Sequence, residues 1–195
     1  MAILNFMLYL PGQEKKETRF IEKIHSSLIQ NLLYSSGYMG SPEEETFYKE
    51  ISKEYVLDVN VLAEKKAKNH TIRKDSQNRW KVGMKIDFFI NSRTKKMLRF
   101  APRVPVKSLQ LITLKWKQKP EGFQIFGTPV DRTCVIEIDG RFFGDAYFFQ
   151  GQLKTGSYTL EQLAINDGFD TVQDFFDWFC EDFSGKIIHW TDLKY

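Results

Sequence analysis

The chain has 195 residues, 42% of them hydrophobic and 15% aromatic, with a net charge of only +3. Such a composition buries a sizeable core and excludes a disordered tail, and the length suits a single domain over 1–195 rather than two. No apolar run approaches the ~20 residues that cross a bilayer, so a membrane protein is not expected.

In chain order, Ala2–Leu10 is an apolar run stopped by Pro11-Gly12, and it reads as a first, buried strand. Helical spacing follows in Phe20, Ile21, Ile24 and Leu28, with Thr18 as the expected N-cap and His25 on the helix surface. Ser35–Pro42 marks a loop, Glu43–Glu54 a second helix, and Val56–Leu62 fits either strand or helix. Met84–Ile90 and Val104–Lys117 read as strands, the second bent or at an edge where Pro102 and Pro105 fall. Leu109–Trp116 alternates as a half-buried strand does, and Phe123–Phe126 is a short strand after the turn at Lys119–Gly122. Asp139-Gly140 between β-rich arms predicts a type I′ hairpin, with Phe142 and Phe143 as packing residues. Thr159–Gln162 resembles a capping box for a helix ending at Asp167-Gly168. Thr171 opens another helix, with a buried stripe of Val172, Phe175, Phe176 and Phe179, and Gly185–Trp190 is a closing strand. Many strands with three or four helices in one domain make the expected fold class α+β, in the form of a small barrel.

The small net charge conceals a segregation. Seventeen of the 28 Lys and Arg lie in residues 65–119 with two of the 25 acids, so this third is near +15 and the remainder near −12. A basic face of that kind attracts phosphate backbones. Cys134 and Cys180 lack metal or redox spacing, and His25, His70 and His189 are scattered, so reduced core thiols, no metal and no cofactor are expected. Met1–Asn5 lacks the basic region of a secretory leader, which suggests a cytoplasmic protein. Dinucleotide, P-loop, zincin and nucleophile-elbow motifs are absent.

What remains is Lys68-Asn-His-Thr-Ile-Arg-Lys-Asp75, followed by Arg79-Trp80-Lys81-Val-Gly83. A threonine becomes a nucleophile beside a lysine whose pKa is lowered by burial. In an extended segment Arg73 shares a face with Thr71, and Lys68 joins them only if the chain bends before His70.

This stretch resembles the Gly-x-Lys-x-x-Thr/Glu-x-Arg signature of the ASCH domain family, a branch of the PUA-like β-barrels. Thr18–Ile24, Trp80–Ile86, Leu163–Thr171 with Asp174-Phe175-Phe176, and Ile187–Trp190 match the family's other segments in the same order. Lys66-Ala67 stands where the signature carries its glycine. The resemblance implies a PUA-like mixed β-barrel with flanking helices, an inserted helical segment at 30–64 and a second insertion at 118–157. It also implies a cleft between barrel and helices that takes RNA or a modified nucleoside, through Arg73, Arg79, Trp80 and Lys81. Some small members are amidohydrolases on N4-acylated cytidine. Carried over, their roles fall on Lys68 as base, Thr71 as nucleophile and Asp167 as acid partner, where those members have a glutamate.

Three readings follow: a binding module for RNA or a nucleoside, the amidohydrolase, and a non-catalytic accessory protein that meets a protein partner through 30–64.

Overall fold

Alternation of buried and open side chains from Ser108 onward commits the middle of the chain to a strand with one face in a core and the other largely open. The computed structural model describes residues 2–10, 16–31, 66–119, 121–155 and 157–195. The strands are β1 (Ala2–Phe6), β2 (His70–Arg73), β3 (Lys85–Ile90), β4 (Leu98–Arg99), β5 (Val104–Pro105), β6 (Ser108–Gln118), β7 (Gln124–Ile125), β8 (Thr128–Pro129), β9 (Arg132–Ile138), β10 (Arg141–Phe149), β11 (Gln152–Lys154) and β12 (Phe183–His189). The described helices are α1 (Phe20–Gln30), α2 (Tyr158–Asn166) and α3 (Val172–Trp178). The class is α+β, with a curled, half-barrel sheet.

Six antiparallel strands run in the order β11-β10-β9-β6-β12-β2. A smaller sheet sets β1 parallel to β3, with β4 and β5 antiparallel on β3. Successive residues of β12 point to opposite faces. Ile187 therefore joins a core with α2 and α3, and Ile188 joins one with α1, β1 and β3. The large sheet is the wall between two apolar cores, and β2 at its edge carries the motif.

Several expectations change in three dimensions. The first strand stops at Phe6, and it is half-exposed because Ile3 and Asn5 face outward. Thr18 precedes the α1 N-cap, which is Arg19 in the left-handed region (φ 51°). Thr18 Oγ1 instead donates to Met7 O at 2.7 Å. His25 is buried, because α1 packs on more than the side its apolar stripe marks, and its Nε2 lies 2.7 Å from Phe100 O. Ser157, not Thr159, caps α2. Cys134 is a buried free thiol, its pKa pushed up to about 12 by burial, but Cys180 is free and exposed. Phe142 is exposed, and only Phe143 packs, edge-on to Tyr195.

The hairpin at Asp139-Gly140 (φ 51° and 74°), the α2 end at Asp167-Gly168 and the Thr171 cap of α3 lie where the residues predict. Residues 118–157 are more than an excursion, since β9, β10 and β11 form half of the large sheet. The readings at 32–65, including the second helix and the Val56–Leu62 segment, fall outside the described residues. Among the described residues no helix is long and apolar enough to cross a membrane.

Candidate functional site

Residues 66–69 lead into β2 without pairing in the sheet. Lys68 N donates to Lys23 O on α1 (2.9 Å) and Asn69 N to Asn166 O on α2 (2.8 Å), so residues 66–69 are pinned between two helices before β2 begins. Lys68 then threads its side chain inward. Its Nζ donates to Asp167 Oδ1 at 2.8 Å and also to the Asp167 carbonyl, with the Phe20 ring centroid 4.7 Å away. Asp167 is the C-cap of α2, and Gly168 follows in the left-handed region (φ 90°). Glycine is required there twice over, because a Cβ would come within 2.8 Å of Lys68 Cδ. Lys23 reaches the same helix end, donating to Gly168 O (2.7 Å) and Asp170 Oδ1 (2.8 Å). Two ammonium groups thus sit at the negative end of the α2 dipole.

Asp167 Oδ1 also accepts from Ile72 N (3.0 Å) and lies 3.7 Å from His70 Nδ1. His70 Nε2 is 2.8 Å from the Tyr195 hydroxyl, to which Asn166 Nδ2 donates at 3.0 Å. In the tautomer protonated on Nδ1, toward Asp167, the Tyr195 hydroxyl donates to Nε2 while accepting from Asn166. Burial lowers the Lys68 pKa to about 8, against the pull of Asp167. Burial alone would raise the Asp167 carboxyl, but Lys68 and His70 overcome it and hold the group below the usual carboxylate range. Burial likewise lowers His70.

Thr71 alternates with His70 and so faces the other core, on the Arg73 side of β2. Its hydroxyl makes no hydrogen bond among the described residues. Lysine, carboxylate and hydroxyl are a set able to move a proton from an attacking oxygen. Access is restricted, since Lys68 is 1% and Thr71 2% exposed, and neither lines the cavities described here.

The four expected binding residues separate. Arg73 lies over the Phe6 ring (5.2 Å) and donates to Asn5 O (3.0 Å), tying the edge of β2 to that of β1. Arg79 and Trp80 line a cavity of about 530 Å³, also walled by Ile3, Asn5, Met84, Ser92, Arg93 and Met97. Lys81 is exposed but does not line it. Asp75 builds one wall, accepting from Arg79 N (2.9 Å), Trp80 N (3.1 Å) and Lys186 Nζ (2.8 Å). Asn5 Oδ1 builds the other by accepting from Ser92 N (3.0 Å), which brings in Arg93, itself at φ 66°. Trp80 is 6% exposed, so it is a wall rather than an open stacking face. Among the described residues none of the lining comes from a helix, and the cavity lies at the β1 edge of the smaller sheet.

Arg93 was readable only as part of the basic run Arg93–Arg99. His70, Tyr195 and Lys23 carried no sequence signal for a site, because their roles depend on contacts with residues about 100 or more positions away. The two acids of the basic third are turned inward, Asp87 against Arg103 (2.5 Å) and Asp75 against Lys186, leaving most of its lysines and arginines exposed.

Comparison with models of known families finds no match. The curated proteins and the solved structures likewise hold no match to the chain.

Proposed function

We propose that this protein is a cytoplasmic ASCH/PUA-like domain that binds RNA or a modified nucleoside at the β1 edge. The observation that carries the reading is the 530 Å³ cavity flanked by Arg79 and Arg93, set in a segment whose two acids are each paired with a lysine or arginine. Guanidinium groups are suited to forked recognition of phosphate, and the volume falls in the range of small-molecule sites. Asn5 and Ser92 add polar groups beside the apolar walls of Ile3, Met84 and Met97.

The test is fluorescence anisotropy with a short single-stranded RNA over a salt series. Affinity falls as salt rises, and replacing both Arg79 and Arg93 by alanine flattens the log–log slope by about 1.4, at roughly 0.7 per lost phosphate contact. Salt-independent binding, or an unchanged slope in the double variant, counts against the cavity.

A second reading is favoured by the buried Lys68–Asp167 pair at the start of the strand that carries Thr71: hydrolysis of N4-acylated cytidine. Neutral Lys68 would take the Thr71 proton as Oγ1 attacks the acyl carbon, and the C–N bond would break with that proton passed to the leaving amine. Water, deprotonated by Lys68, would then cleave the Thr71 ester, releasing the acid and returning the proton to Oγ1. Asp167 would hold Lys68 in place, and Arg73 would support the strand. Release of cytidine from N4-acetylcytidine, followed by chromatography, rises with pH toward about 8 as Lys68 loses its proton, and disappears in Thr71→Ala. Turnover that persists in Thr71→Ala removes the nucleophile assignment.

A further inference from the structure

Three two-residue turns in this protein share one backbone conformation but not one chemistry. Asp139-Gly140 joins β9 to β10 with φ of 51° and 74°, and Gln150-Gly151 joins β10 to β11 with 51° and 73°. Phe126-Gly127 joins β7 to β8 with 48° and 76°. Positive φ at both positions is the type I′ turn, in which Asn or Asp followed by Gly is favoured and a bulky side chain is an outlier. A large ring in that conformation is disfavoured by the contact of its Cβ with the following carbonyl. Nothing repays it locally, because Phe126 is 102% exposed, the most exposed large apolar residue described. A local rule broken without packing in return is the mark of a functional position.

The ribbon beneath the tip is anchored. Val130 is fully buried and its N donates to Phe123 O (3.1 Å), Phe123 stands edge-on to Tyr147 (5.4 Å), and Lys119 N donates to Asp131 O (2.9 Å). Between Phe123 and Val130 there is no charge. Below it, Lys115 and Lys117 lie on one exposed side of β6, and Lys119 is exposed just past its end. Lys115 pairs with Glu137 (3.6 Å), whereas Lys117 and Lys119 make no ion pair among the described residues.

We propose that the β7–β8 ribbon is an aromatic finger that stacks Phe126 on an unpaired base of single-stranded RNA, whose phosphates pass along Lys117 and Lys119. A positively charged track with an aromatic platform is the general means of holding a single strand without reading its sequence. One ring is enough to stack on a base, but it is a small apolar area with which to hold a membrane. The proposal rests on the reading of the protein as an RNA binder and adds a contact made by residues separate from the Arg79/Arg93 cavity.

The test uses the full chain and a fluorescein-labelled oligouridine of about twelve nucleotides, within the site sizes of single-strand binders. Phe126→Asn puts a favoured turn residue at the tip, so its melting temperature is equal to or above that of the parent, while affinity falls about tenfold. Phe126→Trp retains affinity, and its added emission is quenched on binding, in the Arg79→Ala/Arg93→Ala background as well once RNA is saturating. If the parent binds RNA and Phe126→Asn binds equally well, the finger is wrong and the cavity reading stands. If the parent does not bind, both fall. A blue shift of Phe126→Trp with phosphatidylserine vesicles, and no response to RNA, overturns the proposal in favour of a membrane surface.

Discussion

A lysine enclosed at 1% exposure and fixed by a carboxylate is held by a balance in which either partner alone is costly. Asp167→Asn leaves the Lys68 ammonium buried without its counter-charge. The expected loss is on the order of 3–5 kcal/mol at pH 7. The native-state pKa of Lys68 lies below its unfolded value, so the unfolded chain binds more protons between the two and stability rises with pH across that window. Without the carboxylate that window widens downward. The cost of Asp167→Asn measured by urea unfolding is therefore smaller at pH 9 than at pH 7, and an equal cost at both would show that the ion pair is not what Asp167 contributes.

At the scale of elements, α3 illustrates how a short helix is held by its first turn. Thr171 Oγ1 accepts from Asp174 N (3.1 Å) and donates to Asp174 Oδ2 (2.8 Å), and Lys16 Nζ meets Asp174 Oδ1 at 2.5 Å. Thr171→Ala removes the cap and costs about 1 kcal/mol, up to about 2, in urea unfolding, while Thr171→Ser keeps most of it. This cap was legible because it needs only residues three apart. The capping box at Thr159 was legible in type but misplaced, since the helix begins at Tyr158 and Ser157 takes the cap position. The role of α1 was not legible. An apolar stripe marks one buried side, yet Lys23, His25 and Ser27 are buried too, held by groups that arrive from the rest of the chain.

For the whole molecule, two cores back to back on one sheet place three histidines where water does not reach. Burial lowers His25 to about 4 and His189 to about 3, and lowers His70 as well. His189 faces His70 and Tyr195, with Lys194 adding to its depression. Below the unfolded pKa near 6.5 the unfolded chain takes up protons that the folded chain refuses, so stability falls as pH drops from about 6.5 toward 4. The loss at pH 5 is on the order of 2 kcal/mol each for His25 and His189. Neither nitrogen of His189 has a hydrogen-bond partner among the described residues, so His189→Phe is close to neutral at pH 7.5 and flattens the acid limb. A loss above about 2 kcal/mol at pH 7.5 would mean that the imidazole is satisfied after all.

By itself the sequence determined what depends on neighbours in the chain. The alternation of β6, the turn at Asp139-Gly140, the α2 stop at Gly168 and the cluster at Lys68–Arg73 all rest on local sterics and periodicity. Tertiary structure decided what depends on distance and burial. It joined Lys68 to Asp167, 99 positions on, set Arg73 across from β1 as a tie between β1 and β2, and drew Arg93 beside Arg79. It also left Phe126 outside both cores, which no pattern of spacing shows, because exposure is fixed only when every other apolar side chain has found its place.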